Sequence, residues 1–127
     1  MTNSSYKNNI KNLAHLGDSV YEVFVREYTI SLTQNLKTLH KLTVSFVNAQ
    51  FQADILEQIE SYLSQEELEI VRRGRNLSLG VSKKVNQQAH RLATAFEALI
   101  GYLYLNDKQR LYRLYELILP ILEKNNV

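Results

Sequence analysis

Cysteine is absent from this chain, which excludes disulfide frameworks, thiolate metal sites and a cysteine nucleophile. The absence also suits a reducing compartment. One proline and four glycines are too few for flexible linkers or low-complexity segments. No apolar run approaches the ~18 residues of a membrane span. The polar start, Thr2 to Asn12, lacks both the apolar core of a signal peptide and the arginines of a transit peptide. There is no P-loop, no Gly-x-Gly-x-x-Gly, no Gly-x-Ser-x-Gly elbow and no zinc-protease motif. His15, His40 and His90 are not spaced as metal ligands. Acids are missing from two stretches. Residues 28 to 53 hold no Asp or Glu, so a carboxylate metal site is expected to be built without them. Residues 72 to 91 carry Arg72, Arg73, Arg75, Lys83, Lys84 and Arg91 with no acid among them.

What is present is 127 residues, 45% of them hydrophobic, enough for one domain over 1–127 with a real core. Period-2 runs flanked by turn residues are lacking and helical periodicity runs throughout, so the class is all-α. Helices are expected over 17 to about 33, over 36 to 61 (one long helix or two abutting), and from Ser64 to about Arg73. Ser64-Gln-Glu-Glu67 has the spacing of a capping box. A loop is expected over 74 to 85, where two glycines fall in a non-periodic stretch. Two more helices follow, from about Asn86 to Leu105 and from about Lys108 to Glu123, the last broken or kinked near Pro120.

Chemistry concentrates in two segments. Leu13 to Tyr28 is largely apolar ahead of Arg26-Glu27 and holds Asp18 and Glu22, which lie one turn apart on a narrow polar strip. Leu13, Leu16, Val20, Val23 and Phe24 form one apolar stripe; Tyr21, Val25 and Tyr28 form a second, nearly opposite. In Ala93 to Leu105, Glu97 is the only acid or base, with Ala93 and Gly101 one turn to either side. Such small neighbours let another helix approach closely. A carboxylate near buried surface is costly unless capped, paired or coordinated. One acid from each of two helices, Asp18 and Glu97, is the minimal arrangement for Mg²⁺, which takes one or two carboxylates plus waters and substrate phosphate. The competing reading is that Asp18 caps its helix and Glu97 pairs with Arg91. The acid-free basic stretch is a phosphate footprint or, alternatively, a solvated loop.

Leu16-Gly17-Asp18-Ser19-Val20-Tyr21-Glu22 resembles the heart of the ribonuclease III signature, and Glu97-Ala98-Leu99-Ile100-Gly101 resembles that family's second acidic motif. The match is closer to the Mini-III branch, a catalytic domain without a double-stranded-RNA-binding domain. Ala14-His15-Leu16-Gly17-Asp18, Tyr21-Glu22-Val23, Arg72-Arg73-Gly74-Arg75-Asn76 and Thr94-Ala95-Phe96-Glu97-Ala98-Leu99 carry it, over about residues 10 to 118. Larger relatives have acids where this chain has Lys11, Ala14 and Thr94, so Asp18 and Glu97 are left to hold the metal almost alone. Glu22 takes a supporting part.

The resemblance implies a ribonuclease III endonuclease-domain fold and a homodimer, with Tyr21, Val25 and Tyr28 as its surface. It implies Mg²⁺-dependent cleavage of double-stranded RNA leaving a 5′-phosphate, and maturation of large-subunit (23S) ribosomal RNA as the task, with a ribosomal protein as a further partner. Arg72, Arg73, Arg75, Lys83 and Lys84 would clamp the RNA backbone. Two other classes stay open: an inactive RNA-binding or ribosome-assembly protein of the same fold, and a helical protein-interaction module. The composition, rich in Asn, Lys and Ile, suits an AT-rich genome; the expected location is the plastid stroma if organelle-encoded, otherwise the bacterial cytoplasm.

Overall fold

The computed structural model describes residues 9–77 and 87–126. Six helices follow in order: α1 (Ile10–Thr29), α2 (Leu36–Val47), α3 (Ala49–Ile59), α4 (Gln65–Leu77), α5 (Gln87–Asn106) and α6 (Lys108–Lys124). A short 3₁₀ turn, Glu60–Tyr62, follows α3. There is no strand among the described residues. Lys83 and Lys84, and most of the loop expected over 74 to 85, lie outside them.

Helix α5 is the centre. Its Ala95, Phe96, Ala98, Leu99 and Ile100 are fully buried, the pattern of a helix packed on most sides. Helices α1, α3 and α4 pack against it. The buried edge of α1 is Ile10, Leu13, Ala14, Gly17, Tyr21 and Val25, spaced three and four apart. Helix α6 contributes Leu111, Leu114, Ile118 and Leu122.

The closest approach is between α1 and α5, where backbone meets backbone. A Cβ on Gly17 would stand 1.7 Å from the Glu97 carbonyl oxygen, and one on Gly101 would stand 2.0 Å from that of Leu13. Nothing larger than hydrogen fits at either position. Gly74 serves α4 in the same way, its would-be Cβ falling 2.8 Å from the Ala95 Cα. The loop expected from Gly74 is therefore helix: α4 runs on to Leu77, because Gly74 faces α5 and is held there by packing.

Other expected boundaries shift for local reasons. Helix α1 begins at Ile10 rather than 17, which puts Asp18 in mid-helix and excludes it as a cap. The 36 to 61 stretch is two helices, since Asn48 is extended (φ −71°, ψ 160°) and its side chain accepts from the Phe51 amide at 2.9 Å. The capping box is made in both directions: Glu67 N–H donates to Ser64 Oγ at 3.1 Å and Ser64 N–H donates to Glu67 Oε1 at 2.8 Å. Pro120 does not break α6; it lies on the exposed side, where solvent can serve the carbonyl it leaves without a donor.

Gly17→Ala and Gly101→Ala are expected to destabilise the fold by about 3 kcal/mol or more each, because backbone cannot yield as a side chain does. Gly74→Ala should cost less, about 1–3 kcal/mol. Urea unfolding of the three variants checks the ranking; a Gly17→Ala protein as stable as the parent would contradict the backbone contact.

Candidate active site

The Gly17–Gly101 contact sets the site. Asp18 follows Gly17 on α1, and Glu97 precedes Gly101 by one turn on α5, so the glycines that bring the axes together also bring these two acids together. Asp18 is exposed and Glu97 half-buried. The Glu97 carboxyl hydrogen-bonds to Asp18 and accepts a further hydrogen bond from the Gln52 side chain. Burial, followed by the hydrogen bond to Asp18 and its like charge, pushes the Glu97 carboxyl up to about 8; the Gln52 bond opposes this. Among the described residues no basic side chain pairs with either acid. Arg91, the expected partner of Glu97, donates instead to the Arg75 carbonyl at 3.3 Å, tying α5 to α4.

A divalent cation is the counter-charge this pair fits. Among the described residues no three His, Cys, Asp or Glu side chains converge as a metal cluster. A cation here would therefore take two carboxylates from the chain and its remaining ligands from water and substrate, the habit of Mg²⁺. Thr94 does not join them: its hydroxyl donates within α5 to the His90 carbonyl at 2.9 Å. Ala14 is in the core.

Glu22 is engaged elsewhere, in a 2.9 Å ion pair with Arg26 one turn along. Gln52 is the residue that sequence reasoning missed. It comes from the very stretch set aside for lacking acids, and it is only 2% exposed. Its position within an otherwise apolar face of α3 (Ala53, Ile55, Leu56, Ile59) was the available signal.

The basic residues divide. Arg72 is exposed and bonded to Glu69 at 2.7 Å; Arg75 lies 3.6 Å from Glu60. Arg73 lines a groove with Asn9, Lys11 and Asn76, where the start of α1 meets the end of α4. Arg72 and Arg73 sit on the helix as expected, and Arg75, expected in the loop, sits on it with them.

The proposed dimer surface is also redrawn. Tyr21 and Val25 are fully buried, and the Tyr21 hydroxyl donates to the Phe46 carbonyl at 2.7 Å. The outward apolar face of α1 is the later part of the other stripe, whose Leu13 is buried: exposed Val23 and half-buried Val20 and Phe24 border a groove with Tyr104, Leu111, Tyr112 and Tyr115. Phe24 stacks on Tyr115 with ring centres 4.0 Å apart.

This helical frame with two acids at the α1–α5 crossing matches a known class of protein. The Ribonuclease III domain profile matches residues 11–108, and the chain belongs to the ribonuclease III family. Within that family its relatives are of the Mini-III branch. Mini-ribonuclease 3 of Clostridium tetani is 41% identical over 118 residues, covering 90% of this chain and 78% of that protein. That of a Thermoanaerobacter species is 44% identical over 115 residues (88% and 81%), and that of Thermosynechococcus vestitus 39% over 106 (84% and 70%). A Fusobacterium nucleatum protein known from its crystal structure shares the fold with a TM-score of 0.77 at 31% identity, over 91% of each chain.

The raised Glu97 carboxyl makes the metal-free protein pH-sensitive. Between 4.5 and about 8 the folded state holds a proton that the unfolded chain has released, so stability falls as pH rises through that window. In EDTA, urea unfolding should show a loss of about 2–4 kcal/mol from pH 5.5 to 8. Glu97→Gln should flatten the profile and be the more stable protein at pH 8. A parent profile that is already flat would show that the two acids do not interact.

Proposed function

We propose that this chain is a Mg²⁺-dependent endoribonuclease of double-stranded RNA, working as a homodimer in the maturation of large-subunit (23S) ribosomal RNA. The observation that carries the reading is the meeting of the Asp18 and Glu97 carboxyls with no basic side chain among the described residues to neutralise them. Membership of the ribonuclease III family supports the activity, and the Mini-ribonuclease 3 relatives support the branch. When bound, Mg²⁺ supplies Lewis-acid stabilisation and a water acidified for attack on phosphorus. Asp18 and Glu97 would hold it. Water adds to the phosphate and the bond to the 3′-oxygen breaks, leaving a 5′-phosphate and a 3′-hydroxyl.

Substrate recognition rests on shape and phosphate contacts rather than on base sequence. Lys11 lies two turns before Asp18 on α1, and it shares a groove with Arg73 and Asn76. That groove is the backbone clamp on this reading, and Arg72, whose exposed ion pair is weak enough to exchange for phosphate, extends it. Arg75, 3.6 Å from Glu60, stands on the same helix.

The homodimer reading is supported by the apolar groove at Val20, Val23, Phe24, Tyr104, Tyr112 and Tyr115. Val23 is 56% and Tyr112 59% exposed, and contiguous apolar surface of this kind marks an interaction face. Ser19, the neighbour of Asp18, borders the same groove. A second copy seated there would bring its own acids to the same valley.

Incubation with a structured double-stranded RNA tests the function. Cleavage is expected with Mg²⁺ and not with EDTA. Asp18→Ala should lower it by more than the roughly 100-fold typical of losing an outer partner of a metal site. Val23→Asp should give a monomer by light scattering and lose cleavage. Activity that survives Asp18→Ala would sink the nuclease reading, and RNA bound without cleavage would favour an assembly role. In a separate binding series, Lys11→Ala plus Arg73→Ala should weaken RNA binding and lower the slope of log K against log salt by about two. An unchanged slope would remove both residues from the phosphate path.

A further inference from the structure

Gln52 stands out as a buried polar residue that the fold alone does not account for. It occupies the first turn of α3, and the rest of the buried face there is apolar: Ala53, Ile55, Leu56 and Ile59. A leucine would pack on such a face without leaving any polar group to satisfy. Instead the chain places an amide there, 2% exposed, and uses it in two directions. Its Nε2 donates at 2.8 Å to the carbonyl of Val47, the last residue of α2, whose carbonyl has no helical donor once the chain turns at Asn48. The same side chain hydrogen-bonds to the Glu97 carboxyl. Its Oε1 is closed off from solvent and accepts nothing.

Capping Val47 explains one of these features. It does not explain the bond to Glu97, and it does not explain an acceptor left empty in a closed place, an arrangement that native structures avoid unless something completes it. The completing group has to be a donor or a cation. The two carboxylates beside it call for a cation as well. Thr94, also on α5, is turned into its own helix, so it does not supply a third polar group to this site.

We propose that Gln52 is a positioning residue of the cation site formed by Asp18 and Glu97. Its amide N–H group ties the Glu97 carboxylate to the α2–α3 break, and its Oε1, closed off while the ion is absent, becomes an acceptor for the ion's hydration shell once the ion enters. The role is that of the outer partners that orient carboxylate ligands in metal sites, whose loss typically costs about 10–100-fold in affinity. The inference rests on the reading of Asp18 and Glu97 as metal ligands.

The test measures Mn²⁺ binding directly, from the electron paramagnetic resonance signal of free Mn²⁺, on the full chain without RNA at pH 8. Circular dichroism melts run in parallel. Gln52→Met keeps the length and volume but neither donates nor accepts; it is expected to remain folded and to bind Mn²⁺ about 10-fold more weakly. Gln52→Glu puts a third carboxylate beside the pair and should bind Mn²⁺ more tightly than the parent. A purely structural glutamine would give no such opposed pair of changes. A folded Gln52→Met protein with parental Mn²⁺ affinity overturns the proposal. If Gln52→Met does not fold, Gln52→Glu decides: tighter binding upholds the proposal, while parental or weaker binding overturns it. Asp18→Asn separates the two levels of the argument. Should Asp18→Asn bind Mn²⁺ as the parent does, the metal reading of Asp18 and Glu97 fails and takes this inference with it. Should it lose Mn²⁺ while Gln52→Met does not, only the role of Gln52 fails.

Discussion

The contact between the backbones of α1 and α5 at Gly17 and Gly101 is the constraint from which the rest of the site follows. Two helices with ordinary side chains at their crossing stand 8–10 Å apart; here the missing Cβ atoms let carbonyl oxygens occupy the space that side chains would fill. That closeness lets an acid on one helix touch an acid on the other. Gly17 and Asp18 are adjacent, and Glu97 is one turn from Gly101, so the packing device and the chemical device share the same few residues.

The price of that closeness is electrostatic. Two carboxyls in contact, one of them half-buried, cannot both ionise freely, and Glu97 responds by holding its proton to about pH 8. A divalent ion would reverse this balance by replacing the Glu97 proton with two positive charges. Surrounding groups are arranged in keeping with that exchange. Arg26 pairs with Glu22, Arg72 with Glu69 and Arg110 with Glu67, and none of these pairs includes Asp18 or Glu97. Gln52 reaches Glu97 without bringing charge.

The molecule also separates its surfaces by chemistry. At one end of α1, Lys11 joins Arg73 and Asn76 in a basic groove; towards the other end, Val20, Val23 and Phe24 join the tyrosines of α5 and α6 in an apolar one. Asp18 lies between them along the same helix. A single helix thus presents a basic groove, an acid and an apolar groove, while its opposite edge anchors in the core through Leu13, Gly17, Tyr21 and Val25.

The sequence by itself determined the all-helical class, the capping box at Ser64, and the helical order. It also marked Asp18 and Glu97 as unusual, because an isolated acid in an apolar stretch is visible without any coordinates. The small residues around Glu97 even announced that another helix would come close. Tertiary structure alone decided which helix that was, and which members of the two apolar stripes on α1 faced inward: both stripes have helical spacing, and only the Gly17 contact orients the helix so that Leu13, Tyr21 and Val25 are buried and Val23 is not. Gly74 reads as a loop residue for the same reason, since a glycine's local preference is for turns and only the pressure of Ala95 against it keeps α4 helical. Gln52 was illegible because its meaning lies wholly in contacts across the fold, with Val47 on one side and Glu97, forty-five residues along the chain, on the other. Periodicity reports which residues share a face of one helix. What that face meets is set by the packing of the others.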